Sequence, residues 1–155
     1  MLKWGYMSIY IHKSHNVTVL IYHLVCPTNY RRVVIDEKVD MEIKNVCSEI
    51  ARRYEINFLE IGTDKDHVHF LIQSVPMYNP TRIVTIVKSI TAKEVFKRVP
   101  ELRKELWGGA FWSSGYFITT VGRVGCENKV VFEYVKTQGR DKEYRKIHED
   151  QLKLF

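Results

Sequence analysis

Residues 56–74 read Ile56-Asn57-Phe58-Leu59-Glu60-Ile61-Gly62-Thr63-Asp64-Lys65-Asp66-His67-Val68-His69-Phe70-Leu71-Ile72-Gln73-Ser74. Ile56–Gly62 and Asp66–Ser74 read as two strands, and Thr63-Asp64-Lys65 between them as a turn, so the segment is expected to fold as a hairpin. Alternate residues of a strand share a face. Val68, Phe70 and Ile72 therefore point one way, towards a core, and His67 and His69 point the other way, side by side.

Working outward, Val39, Ile43, Val46, Cys47 and Ile50 recur at helical spacing between Asp36 and Tyr54, with Asp36 placed to cap the helix. Before it, Asn16–Val25 reads as one long strand, closed by the turn chemistry of Cys26-Pro27-Thr28-Asn29. After the hairpin, Pro76 and Pro80 break the chain ahead of a helix from about Thr81 to Arg98, where Ile83, Ile86, Val87, Ile90 and Val95 keep the 3.6-residue period. An amphipathic stretch holding Trp107 and Gly108-Gly109 leads to a strand over Gly115–Val121. Glu127–Gln138 then reads as a last helix, followed by a polar tail over 140–155. The order strand, helix, strand, strand, helix, strand predicts an α+β, ferredoxin-like βαββαβ antiparallel sheet with both helices on one face. An appended C-terminal helix carries Tyr134. The second sheet face needs a cover of its own: the extra helix, a partner subunit or a nucleic acid.

At 155 residues the expectation is a single domain over 1–155, with a catalytic core of about 10–139. The 45% hydrophobic and 27% charged content is that of a globular chain and excludes a disordered or fibrous one. No apolar run is long enough for a membrane span, so no membrane partner is expected. Cys26, Cys47 and Cys126 are an odd set without C-x-x-C spacing, which favours a reducing cytoplasm over a disulfide framework. The net charge of +6 suits a polyanion partner.

Three groups of residues bear chemistry. His67 and His69 supply two imidazoles of a divalent-metal site; alone, the same pattern describes a pair of partly exposed strand histidines without metal. Tyr134 and Gln138 are four apart and share a helical face. The glutamine carbonyl is a hard ligand suited to Mg²⁺ or Mn²⁺, and the hydroxyl is a nucleophile if it is positioned and the attacked phosphate is polarised. Tyr134 also lies on the apolar stripe of Val130, Val131 and Val135, and so reads equally as a core tyrosine. Tyr30-Arg31-Arg32 and Arg52-Arg53-Tyr54 interleave cations with aromatics, as single-stranded nucleic acid requires, though each cluster is equally a solvated face. Asp64 and Asp66 either orient the histidines or shape the turn. His23 reads as a packing or surface histidine without close ligand-type neighbours. No P-loop, dinucleotide fingerprint or nucleophile elbow is present, so no nucleotide cofactor is expected.

Together these residues resemble the single-tyrosine HUH transposases of small insertion sequences, the TnpA-like group related to REP-associated tyrosine transposases. The resemblance rests on His67-Val68-His69, on His23-Leu24-Val25 running to Tyr30-Arg31-Arg32, and on Leu106-Trp107. It continues through Gly115-Tyr116-Phe117-Ile118-Thr119-Thr120-Val121-Gly122 to Tyr134-Val135-Lys136-Thr137-Gln138. Where members often carry Trp-Cys-x-Lys, this chain has Cys26-Pro27-Thr28-Asn29, without the cation. The resemblance implies that His67, His69 and Gln138 hold Mg²⁺ or Mn²⁺ and that Tyr134 attacks a DNA phosphate. It further implies single-stranded DNA with imperfect hairpins as substrate, contacted by Tyr30, Arg31, Arg32, Arg52 and Arg53, and a homodimer. The competing reading is a domesticated nucleic-acid-binding module that has lost the chemistry.

Overall fold

The computed structural model describes residues 10–122. Two short strands, β1 (Ile11–His12) and β2 (Val17–Thr18), pair antiparallel as a small separate sheet. The main sheet is built from β3 (Leu20–Pro27), β4 (Asn57–Thr63), β5 (His67–Ser74) and β6 (Phe117–Thr120), in the order β4-β5-β3-β6, with every neighbouring pair antiparallel. Helix α1 (Glu37–Arg53) links β3 to β4, and α2 (Pro80–Arg98) lies between β5 and β6. A short helix, α3 (Leu102–Glu105), and a 3-10 turn over Trp107–Gly109 fill the remaining connection. This is the expected α+β, ferredoxin-like arrangement. The expected last helix, with Tyr134 and Gln138, lies outside the described residues.

The sequence explains why each element forms where it does. The Asp36 side chain accepts a hydrogen bond from the Val39 amide at 2.8 Å and caps α1, whose last turn carries Arg52 and Arg53 against the helix dipole. Asn79 caps α2 in the same way, through the Arg82 amide. Pro80, expected to stand before α2, is instead its first residue, where a missing N–H costs nothing. The long strand expected over Asn16–Val25 is divided: Val17–Thr18 pairs with β1, and β3 starts at Leu20 with new partners. Strand β3 also runs through Cys26 to Pro27, expected to be turn. Proline is tolerated at that end position, and the Pro27 carbonyl accepts from the Ser113 amide at 2.9 Å.

The helices cover one face of the sheet. Leu24, Cys26, Val68, Phe70 and Ile72 meet Val39, Ile43, Val46, Cys47 and Ile50 of α1 and Ile83, Val84, Val87 and Val95 of α2 in one buried cluster. Arg98 ties the helices together at their rim, reaching Glu49 at 2.8 Å and Glu42 at 3.3 Å. Phe70 is fully buried in the middle of the layer, edge-on to Phe58 and Trp112. Truncating it to alanine is expected to cost about 3–5 kcal/mol. Urea denaturation would read this as a lower midpoint with an unchanged slope.

Candidate functional site

Strand β5 decides the geometry of the site. All eight of its residues are buried, since it lies between β4 and β3. Its alternation is as expected: Val68, Phe70 and Ile72 enter the helix-covered core, and His67 and His69 lie on the opposite face. The bland alternative of partly exposed histidines does not hold, because His67 is 2% exposed and His69 is 0%. Their ring centroids stand 5.1 Å apart with the planes inclined at 70°.

Each ring has its Nδ1 engaged. Asp66, the residue before β5, places Oδ1 2.6 Å from His67 Nδ1. On the neighbouring strand, His23 places Nε2 2.8 Å from His69 Nδ1, with the two rings stacked at 5.0 Å. This is the arrangement seen around metal-binding imidazoles, where a partner on one nitrogen fixes the ring and assigns the other nitrogen to the metal. If His69 ligates through Nε2, its Nδ1 carries the proton and donates to His23. Burial lowers the pKa of His23 to about 4, so its ring is neutral near pH 7 and able to accept that proton's hydrogen bond. For Asp66, burial pushes the carboxyl upward, but the hydrogen bond and charge of His67 and the Arg31 guanidinium outweigh it and hold the group below its ordinary value. Of Asp64 and Asp66, it is therefore Asp66 that orients the histidine. Asp64 shapes the turn, accepting from the Lys65 amide at 2.7 Å.

The two imidazoles and their fixed partners fit a divalent ion as far as they go. Among the described residues, no group of three His, Cys, Asp or Glu side chains completes a metal cluster. A further ligand must come from another kind of side chain or from elsewhere; Gln138 and Tyr134 lie outside the described residues.

His23 corrects the sequence reading. It was expected to lack ligand-type neighbours, yet the β3–β5 register, with Val25 opposite His69 and His23 opposite Leu71, brings it onto the histidine face. Forty-six residues separate it from His69, and no local pattern reveals such a pairing. Its only signal is its place in the His23-Leu24-Val25 segment.

The basic residues fall into two groups that the fold does not bring together. Tyr30 is 77% exposed and Arg32 is exposed beside it, in the turn that precedes α1. Arg52 and Arg53, also exposed, sit at the other end of that 17-residue helix. At 1.5 Å per residue the helix is about 25 Å long. Arg31 departs from its neighbours: its Nη2 lies 3.1 Å from Asp66 Oδ2. A groove of about 920 Å³ opens beside this turn, between Tyr30, Lys88, Lys93 and the segment from Gly109 to Tyr116. Lys88 pins that segment by donating to the Ser113 carbonyl at 2.7 Å, and its ring neighbour is Tyr116. No helix among the described residues is long and apolar enough to cross a membrane.

Comparison with known proteins adds five findings. The sequence profile of the family described as "Transposase IS200 like" matches residues 16–138. The chain is 31% identical over 124 residues to ISDra2 transposase TnpA of Deinococcus radiodurans, covering 80% of this chain and 86% of that protein. It is 21% identical over 117 residues to the transposase for insertion sequence element IS200 of Salmonella typhimurium, covering 76% of this chain and 75% of that one. Among solved structures, a putative transposase from Deinococcus radiodurans shares the fold with a TM-score of 0.66 at 24% identity, over 81% of this chain and 98% of the other. A REP-associated tyrosine transposase bound to a REP hairpin does so with a TM-score of 0.54 at 9% identity, over 83% and 70%.

Proposed function

This chain belongs to the IS200-like transposase family, and from that premise we propose that it cleaves and rejoins single-stranded DNA through a tyrosine–DNA intermediate. The observation that carries the reading is the pair His67 and His69, fixed side by side on β5 with the Nδ1 of each already engaged. His67, His69 and Gln138 would hold Mg²⁺ or Mn²⁺, which when bound supplies Lewis-acid polarisation of the scissile phosphate.

The nucleophile in this reading is Tyr134. Its hydroxyl oxygen attacks phosphorus, the bond to the 3′ oxygen breaks, and the phenolic proton is balanced by the proton that the departing 3′-hydroxyl gains. The phosphate stays on the 5′ side as a phosphotyrosine. Bond energy is conserved in that ester, so rejoining to another 3′ end needs no nucleotide cofactor. Asp66 and His23 hold the two imidazoles in one tautomer and one orientation, so the site is ordered before the substrate arrives.

The proposed substrate is single-stranded DNA carrying imperfect hairpins, a partner suggested by the hairpin-bound relative of the same fold. Tyr30 and Arg32 at one end of α1 and Arg52 and Arg53 at the other are the proposed DNA contacts, while Arg31, engaged with Asp66 at 3.1 Å, is not counted among them. Their separation by a helix about 25 Å long suits several nucleotides of backbone rather than one. A homodimer and a cytoplasmic setting complete the proposal. The first rests on the resemblance to dimeric enzymes, and the second on the odd cysteine set, of which Cys26 and Cys47 are free and buried.

Incubating the protein with labelled strands from the flanks of its own gene tests the reading. With Mg²⁺, a denaturing gel is expected to show DNA joined to protein from single strands, none from the duplex, and none with EDTA. Cleaved DNA that carries no protein would instead point to hydrolysis by water, and binding without any cleavage to a module that has lost the chemistry.

A further inference from the structure

We propose that Arg31 is a positioning residue: through Asp66 it sets the orientation of the His67 ring and so tunes the binding of a divalent ion. The inference rests on reading His67 and His69 as metal ligands and assigns to Arg31 a task other than holding DNA.

Backbone strain is the first observation. Tyr30 and Arg31 have φ of 53° and 50°, the only positive values among the described non-glycine residues. Neither is Asn or Gly, the types that accept the left-handed region at least cost. Such conformations persist where the surroundings over-determine them, and they cluster at functional sites. The surroundings here are the turn that leads into β5. The Thr28 amide donates to the Asp66 carbonyl at 2.9 Å, and the Val34 and Ile35 amides donate to the Lys65 carbonyl at 3.1 and 3.0 Å. The fully buried Thr28 hydroxyl lies 2.7 Å from the Arg32 carbonyl and 3.0 Å from that of Asp66. On the other side the Asn29 amide donates to the Phe111 carbonyl at 2.9 Å. The strained turn is therefore clamped against residues 65 and 66 from both ends.

What the clamp delivers is a guanidinium against one oxygen of Asp66 while the other oxygen takes His67 Nδ1. A carboxylate held on one side only can rotate about its side-chain bonds and let the imidazole turn with it. Held on both, it fixes the ring. An ion pair whose arginine is 49% exposed adds little to stability, so stability alone does not account for two strained residues spent on it. Partners of this kind typically change metal affinity by about 10- to 100-fold when removed.

Mn²⁺ titrated into the full-length protein, with free Mn²⁺ followed by electron paramagnetic resonance, reads the effect without any turnover. His67→Ala gives the background. Arg31→Ala is expected to weaken Mn²⁺ binding by about tenfold or more, and Asp66→Asn by a similar factor. The double variant should bind no worse than Asp66→Asn, because Arg31 acts only through that carboxylate. Arg31→Lys, which keeps the charge but lacks the planar fork, should recover part of the loss and serves in place of the alanine variant if that one melts. Binding of single-stranded DNA in EDTA should be the same in Arg31→Ala and wild type. Wild-type Mn²⁺ affinity in Arg31→Ala overturns the proposal, and a loss of DNA affinity in EDTA with Mn²⁺ binding intact makes Arg31 a phosphate contact instead. A wild type that binds Mn²⁺ no better than His67→Ala removes the metal reading itself, and the proposal with it.

Discussion

Replacing His69 with alanine is expected to slow strand cleavage about 10³-fold while leaving the affinity for single-stranded DNA in EDTA unchanged. The size follows from what is lost. A Lewis acid at a reacting phosphate is worth several kcal/mol, and about 4 kcal/mol corresponds to about 10³ in rate at 1.36 kcal/mol per factor of ten. His69 is also the ring that His23 steadies across the β3–β5 pairing, so the substitution removes a proposed ligand and one contact of a buried neighbour together. Thermal melting separates the two consequences. A folded variant with cleavage near the wild-type rate would place the metal away from β5.

Tyr134→Phe is expected to have the larger effect and to act on a different quantity. It removes a single oxygen and leaves the proposed metal ligands in place. The covalent protein–DNA product should vanish, and neither Mn²⁺ binding nor DNA binding should change. Hydrolysis by water is the only remaining route through the same site, so any residual cleavage should release DNA free of protein. Label retained on the phenylalanine variant after denaturation would show that another residue attacks.

The fold was legible because its decisive signals are local. The alternation through His67–Ile72, the helical spacing from Val39 to Ile50 and the Asp36 cap each lie within one element, and each is where it was expected. The errors sit where long-range pairing overrides local character. Asn16–Val25 reads as one strand, but its two halves pair with different partners. Cys26-Pro27 reads as a turn, but continues β3 because His67 and Val68 lie across from it. The same limit hid part of the site. The His67 and His69 pair is visible in three consecutive residues, whereas the His23 contact depends on the register of strands 46 positions apart. Arg31 looked like one more cation in a basic cluster. Only the clamp between the turn at 28–35 and residues 65 and 66 turns its side chain towards Asp66.

Identifying the residue that carries the DNA is the most direct measurement. The adduct formed with Mg²⁺ would be digested with protease and nuclease, and the nucleotide-bearing peptide sequenced by mass spectrometry. The account predicts a single modified peptide with the phosphate on Tyr134. A phosphate on any other residue, or cleaved DNA without a modified peptide, would contradict it.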